Sequence, residues 1–465
     1  MSRIFFLILI LAAAAGAAEP PNFEDHVLPI FKQHCNGCHN PDKRKADLDL
    51  TSYSGVVKGS SGGEVVKAGV PDTSWLYESI IHAEDVEAMP PKKPKIGEAQ
   101  IALIHKWIGG GLLEAEGGKS KLRNVRFDLA TGSMERPENP AMPTNLPKVP
   151  LAKTRVAPPI LALASSPWAN LIAVNGHKQI LLYGRPAENE EWALLGILPF
   201  PEGDVHDLRF SRNGDLLVAA GGEGAHSGKV AVFDVRTGQR KATIGDEQDI
   251  VLSADVSSDH RFVAIGTPAK KVKIFSAENG QQLHTIDKHT DWVSAVRFSP
   301  DGKMLATGDR NGGIHIWESE SAGILYSLDE HKVRITSLSW RADGQLLASA
   351  GEDGKFVLWD MKDGWPTRTA SPHAVKQEPS RYTRQTGILD LAFARDGRFL
   401  TVGRDRTLRL WKTDGNAVGP IRELEALPIQ AVFGWDGKQV ITGDFAGNLR
   451  IWDEESRSFI QELRP

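Results

Sequence analysis

A chain of 465 residues is too long for one ordinary domain, and its length points to about two to four of them. With 41% apolar and 25% charged residues, extensive disorder is excluded. The formal net charge of −4 leaves no basic excess to neutralise phosphates, which excludes nucleic acid as a partner.

Arg3 opens a short positive region, Ile4 to Ala15 is apolar, and Ala15-Gly16-Ala17-Ala18 offers a cleavage site ahead of Glu19-Pro20-Pro21. This layout predicts a signal peptide over residues 1–18 and an exported mature protein, periplasmic or secreted. The apolar run falls short of the roughly 20 residues that span a bilayer, so no transmembrane segment is expected after cleavage. An uncleaved anchor is the competing reading. No cysteine stands at the cleavage site, which speaks against a lipoprotein.

Asn22-Phe23-Glu24-Asp25 reads as a helix start, with Asn22 as N-cap and acidic residues in the first turn. Val27, Leu28, Ile30 and Phe31 make an apolar stripe that runs into Cys35-Asn36-Gly37-Cys38-His39, which contains the only two cysteines of the chain. Cys-x-x-Cys-His is the attachment signature of a c-type haem. Two thiols at this spacing can add across the two vinyl groups of a porphyrin, and the adjacent imidazole is placed under the iron. One covalent haem c on Cys35 and Cys38, with His39 as an axial ligand, is therefore expected. Zinc needs further ligands, and no other cysteine supplies thiolates. A redox disulfide needs neither the following His nor the Met-Pro element downstream.

That element, Glu87-Ala88-Met89-Pro90-Pro91, lies roughly 50 residues beyond His39. A thioether is the usual sixth ligand of electron-transfer cytochromes c. Two prolines stiffen a loop that has to hold a weak sulfur–iron bond. Met89 is the expected second axial ligand; gap filling in an apolar core is its competing role, and His26, His34, His82 and His105 are rival ligands. A helix is expected from Gly97 to Gly109, with Ile101, Ile104, Trp107 and Ile108 at helical spacing and Gly109-Gly110-Gly111 as its stop. Trp107 reads as core or haem-pocket packing. Lys43-Arg44-Lys45 and Lys92-Lys93-Pro94-Lys95 read either as solvated surface or as a positive rim that steers an acidic redox partner.

Residues 22–116 resemble the class I cytochrome c fold, and more closely the cytochrome c domains of planctomycetes and related bacteria. The resemblance rests on Cys35, Cys38, His39, Met89-Pro90-Pro91 and Trp107-Ile108. It implies thioether attachment at Cys35 and Cys38 and axial ligation by His39 and Met89.

Residues 117–157 change character. Pro137, Pro140, Pro143, Pro147 and Pro150 disfavour helix and remove strand donors, so an extended tether is expected, with Val125 to Leu129 as one isolated strand. From residue 158 onward the sequence repeats. Strand-like segments end on an aromatic at Tyr183, Phe233, Phe275, Trp317, Trp359, Trp411 and Trp452, at intervals of 50, 42, 42, 42, 52 and 41 residues. A period of about 40 to 45 is that of a four-stranded propeller blade. Asp-Gly turns at Asp301-Gly302 and Asp343-Gly344 close hairpins within the units.

These units resemble WD-repeat propellers. The fifth carries His331, Ser349, Asp353 and Trp359 at the positions of that family's hydrogen-bond tetrad. The fourth has His289, Thr307 and Trp317, with Asn311 where Asp is usual. The sixth has Thr401, Asp405 and Trp411 and lacks the His, while the first three and the seventh are degenerate. His289 and His331 are read as structural.

The fold class expected is multidomain: a small all-α cytochrome c domain at 22–116, then an all-β seven-bladed propeller at 158–465. The blades show no nucleophile–base constellation, phosphate loop or repeated carboxylate metal motif, so electron carriage rather than catalysis is expected. The combined reading is an exported haem c electron-transfer protein whose propeller docks a protein redox partner. One alternative is an oxidoreductase with a substrate or second-cofactor site in the propeller and haem c as electron acceptor; another is a redox-sensing scaffold. The long connection after the fifth repeat, Met361 to Gly387, includes Trp365, His373, Arg381, Tyr382 and Arg384 and is expected to contribute to partner recognition.

Overall fold

The computed structural model describes residues 21–69, 71–83, 86–115, 136–152, 154–185, 190–374, 386–455 and 458–464. The signal-peptide segment, the strand expected at Val125 to Leu129, and Arg381, Tyr382 and Arg384 lie outside them. Two compact units divide the chain, Met1–Asn124 and Val125–Pro465.

The first unit is helical. Asn22 caps the first segment as expected, its side chain accepting from the Asp25 amide at 2.8 Å. The segment opens with a wide turn, Phe23–Val27, and continues as α1, Leu28–His34. Two short helices follow, α2 at Tyr53–Lys58 and α3 at Trp75–Ile80. The helix expected near the end is α4, Glu98–Gly109. Gln100 accepts from the amide of Gly97 at 3.2 Å and so satisfies an amide at its N-terminal end. The apolar stripes of α1 and α4 meet in one core: Phe31, Ile104, Trp107 and Ile108 are fully enclosed. Phe23 packs edge-on against Phe31 and Tyr53 and at a tilt against Trp107, with ring centres 5.7 to 6.0 Å apart. The buried indole still needs an acceptor. Trp107 Nε1 donates to the Leu113 carbonyl at 2.8 Å, and the Phe23 amide donates to the same carbonyl at 2.7 Å. The two ends of the unit are thereby tied together.

The second unit contains seven four-stranded antiparallel sheets, each built from four consecutive strands. The aromatic-ended segments of the sequence are the third strands, for example Ile314–Glu318 and Phe356–Asp360. Gly302 and Gly344 both sit at φ +73°, the left-handed conformation that the Asp-Gly turns require. Among the described residues no strand is exchanged between first and last blades; the Ile160 amide donates to the Asp444 carbonyl at 3.1 Å, and side chains complete the closure. Ile160, Leu163, Ile172 and Leu181 share one core with Ile441, Leu449 and Ile451. Gln461 accepts from the Trp192 amide and donates to its carbonyl, both at 3.0 Å.

Part of the proline-rich stretch lies on this propeller. Ala141 is buried beside the first two blades, the Thr144 amide donates to the Arg236 carbonyl at 2.9 Å, and Gln179 of the first blade bonds both the Pro150 carbonyl and the Ala152 amide.

The structure corrects the tetrads twice. In the fourth blade Asp309, not Asn311, supplies the carboxylate: His289 Nδ1 lies 3.0 Å from Asp309 Oδ2, and His289 Nε2 lies 2.8 Å from Thr307. In the sixth blade the histidine is present after all. His373 Nδ1 meets Asp405 and Nε2 meets Thr401, each at 2.8 Å, and Trp411 Nε1 donates to Thr401 at 3.0 Å. The fifth blade matches expectation, with His331 between Asp353 and Ser349.

Candidate functional site

α1 ends where the cysteine motif begins. Cys35 is its C-cap, and the amides of Cys38 and His39 both donate to the Cys35 carbonyl at 3.1 Å. One tight turn therefore gathers Cys35, Cys38 and His39, and both thiols are free and half-buried. Burial pushes the Cys35 thiol up to about 11. Its place at the C-terminal end of a helix, where the backbone dipole disfavours an anion, acts in the same sense. Reactive Cys-x-x-Cys pairs instead have thiolates favoured by a helix N-terminus or a nearby cation. The redox-disulfide reading is disfavoured on this ground. Among the described residues no group of three or more His, Cys, Asp or Glu side chains gathers as a metal site would require.

His39 is 8% exposed, and its Nδ1 lies 3.1 Å from the Lys45 carbonyl. A carbonyl only accepts, so Nδ1 is the donor, and in the neutral imidazole that tautomer leaves the lone pair on Nε2. Histidines that ligate metals are usually held in this way by the nitrogen that does not ligate. The Leu50 amide donates to the His39 carbonyl at 3.0 Å and fixes the backbone as well. Between these contacts the chain is strained: Arg44, Ala46 and Asp47 have φ of 34°, 58° and 56°. Left-handed backbone at non-glycine residues costs roughly 1–2 kcal/mol each, so the loop that presents the Lys45 carbonyl is held by its surroundings.

Met89 lies half-buried in the connection between α3 and α4. Both of its backbone groups are engaged: its amide donates to the Ser79 carbonyl at 2.9 Å, and its carbonyl accepts from His82 Nε2 at 3.1 Å. Of the rival ligands, His26 accepts from the Asn22 amide, His82 is spent on Met89, and His105 pairs with Asp72 at 3.2 Å. His34 is different, because its Nε2 is buried without a partner. Beside it the Asn36 side-chain oxygen is also buried and unpaired, and a side chain at Gly37 would meet nothing within 4 Å. Two thiols, an imidazole with a free Nε2, orphaned polar atoms and open space at one turn fit a c-type haem. The structure shows no hydrogen bond between Met89 and this turn.

Of the basic clusters, Lys43, Arg44, Lys45, Lys92, Lys93 and Lys95 are all exposed. Lys43 Nζ reaches back 2.9 Å to the Gly37 carbonyl, so one positive charge lies directly on the cysteine turn. Sequence reasoning missed the Lys45 carbonyl, Ser79 and the structural role of His82. Backbone acceptors carry no residue signature, so nothing in the sequence singled them out.

The family described as planctomycete cytochrome C matches residues 35–93. The family described as WD domain, G-beta repeat matches 280–318, 323–360 and 378–412. No curated protein matches the chain. The chain joins a cytochrome c domain of the planctomycete kind to a seven-bladed WD-repeat propeller.

Proposed function

We propose that this protein is an exported electron carrier with one haem c, and that its propeller is the platform on which a protein redox partner docks. The observation that carries the reading is the hydrogen bond from His39 Nδ1 to the Lys45 carbonyl, which leaves Nε2 for iron beside two free thiols. Cys35 and Cys38 would hold the porphyrin, with His39 and Met89 as axial ligands. Bound there, the haem supplies a one-electron couple, and His/Met ligation raises its potential. The chain's own part is to fix the ligands: the Lys45 carbonyl sets the imidazole tautomer, while Ser79 and His82 hold the backbone of Met89. The exposed lysines beside both ligand loops favour an acidic partner, and such steering weakens with salt. Export is supported by the leader-like residues 1–18 and by the oxidising compartments in which such proteins mature. Among the described residues, no helix is long and apolar enough to cross a membrane.

The test is the double variant Cys35→Ala with Cys38→Ala, expressed with haem-maturation machinery. Haem staining on a denaturing gel should vanish. Haem retained by that variant overturns the assignment, since the chain has no other thiol.

A further inference from the structure

The first strands of the blades enclose a cavity of ≈ 270 Å³ to which all seven blades contribute, so it lies on the propeller axis. Its charged lining is Arg209, Arg212 and Arg297 against one carboxylate, Asp255. The acids of the channel wall are already engaged. Asp207 accepts from the Ala254 amide at 3.2 Å and from Ser253 at 2.7 Å, and pairs with Arg297 at 2.9 Å. Asp255 accepts from the amides of Phe298 and Val256 at 2.8 and 2.9 Å, and Asp390 from those of Ala431 and Leu391 at 3.0 and 2.8 Å. These three carboxylates tie the first strands of the second, third and sixth blades each to that of the next blade.

Two of the arginines are used up less fully. Arg209 meets Asp207 only through its Nε, at 3.4 Å, and makes no hydrogen bond among the described residues. Arg297 is more engaged: its Nη1 donates to Asp207, Ser253 and the Val296 carbonyl and its Nη2 to Asp207 at 3.3 Å, with the buried Nε left unpaired. Arg212 has no ion pair among the described residues; its guanidinium donates to the Ala342 carbonyl at 3.1 Å. Arg212 belongs to the second blade and Ala342 to the fifth, so this bond spans the mouth of the channel. Arg395 is beside it, its guanidinium carbon 3.2 Å from the ring centre of Trp168, whose Nε1 donates to the Arg212 carbonyl at 3.0 Å. Burial and repulsion from Arg212 and Arg136 hold Arg395 below the usual arginine range. The spare hydrogen-bonding capacity of the guanidiniums is donor-only and cationic.

We propose that this axial cavity is a binding site for a small dianion with carboxylate or phosphate oxygens, held by Arg209 and Arg212, with Arg297 adding positive charge to the wall, and entering past Arg212. A guanidinium presents paired donors in a plane that matches either oxyanion. The cavity is large enough to admit a phosphate or a short dicarboxylate. The site owes nothing to the haem.

Calorimetry on the full haem-loaded chain with succinate, inorganic phosphate and sulfate, each titrated separately at constant ionic strength, tests it. Saturable binding is expected, weakened about tenfold or more in Arg212→Gln, with melting temperature and haem spectrum unchanged. Arg209→Gln should weaken it further; if that variant fails to fold, Arg212→Gln with Arg395→Gln decides. Binding of succinate alone assigns a carboxylate ligand, and binding of phosphate and sulfate alone assigns a tetrahedral oxyanion. No saturable binding of any probe, or binding that Arg212→Gln leaves unchanged, overturns the proposal.

Discussion

His373 Nδ1 lies 2.8 Å from Asp405 Oδ1, so a residue of the long connection after the fifth blade closes the tetrad of the sixth. The pair is a neutral imidazole donating to an ionised carboxylate. Burial holds His373 below the usual histidine range, although Asp405 opposes it. Burial pushes the Asp405 carboxyl up, but the hydrogen bonds from His373 and from the Thr407 hydroxyl and amide outweigh that and leave it below the usual carboxylate range.

His373→Ala should therefore cost the propeller about 1–3 kcal/mol, because Asp405 and Thr401 both lose a buried partner. The cost depends on pH. A carboxylate with a depressed folded pKa contributes its stability in full above about pH 4 and loses it as pH falls through the folded value. A histidine held neutral by burial adds to this: below about pH 6.5 the unfolded chain binds a proton that the folded chain does not. Both effects have the same sign. The difference between wild type and variant in chemical denaturation should be largest above about pH 7 and shrink with acidification. A difference constant down to about pH 4 would remove the pair from the account.

The same geometry narrows the connection that sequence reading assigned to recognition. Pro366–Ala370 is the outer strand of the fifth blade, and His373 is 1% exposed. Shortening Asp363 to Tyr382 to a tight turn should therefore lower the melting temperature by several degrees, since it removes both. A melting temperature of the shortened protein within a degree or so of wild type would contradict the structural role of His373.

Met89→Ala should abolish the weak near-infrared sulfur-to-iron band of the ferric protein while haem remains covalently attached. The buried, unpaired Nε2 makes His34 the informative rival, and His34→Ala should leave that band in place. A band lost in His34→Ala and kept in Met89→Ala would move the sixth ligand to the histidine.

How much of this was legible beforehand depends on how local each signal is. The cysteine turn, the Asn22 cap and the stripe of α4 are set by neighbours in sequence, and they stand where the pattern put them. The tetrads show where such reading stops. His289 to Thr307 and His331 to Ser349 are both separations of 18 residues, but His373 to Thr401 is 28. A ten-residue insertion costs little in loop-closure entropy, so the fold keeps the contact while the spacing rule loses it. Asp309 was passed over because Asn311 occupied the expected position; the carboxylate two residues earlier reaches the same imidazole. The arginine cavity had no linear signature at all, since its lining comes from all seven blades.

The axial site should bind anions more tightly in acid. Asp255 is pushed up to about 7, chiefly by burial and also by the Asp207 charge, against the pull of Arg209 and the amides of Phe298 and Val256. The groups facing it are Asp207 and Arg209 from the second blade's first strand, Arg212 from the turn that follows, and Arg297 from the fourth blade. Burial also pushes up the Asp207 carboxyl, and that of Asp390 in the same channel wall to about 6. Asp255 gains its proton near 7, and gaining it removes the lone carboxylate charge from the lining. A bound dianion raises the Asp255 pKa further, so by linkage binding is accompanied by proton uptake and strengthens as pH falls through about 7. Sulfate is the probe to use, because it keeps its charge throughout this range. Its affinity should rise severalfold between about pH 8 and about pH 6, and Asp255→Asn should bind more tightly than wild type at about pH 8 with a shallower dependence, the remainder coming from Asp207 and Asp390. Affinity that is flat across this range in the wild type, or a pH dependence that is undiminished in Asp255→Asn, would place the proton on another group and sever Asp255 from the site.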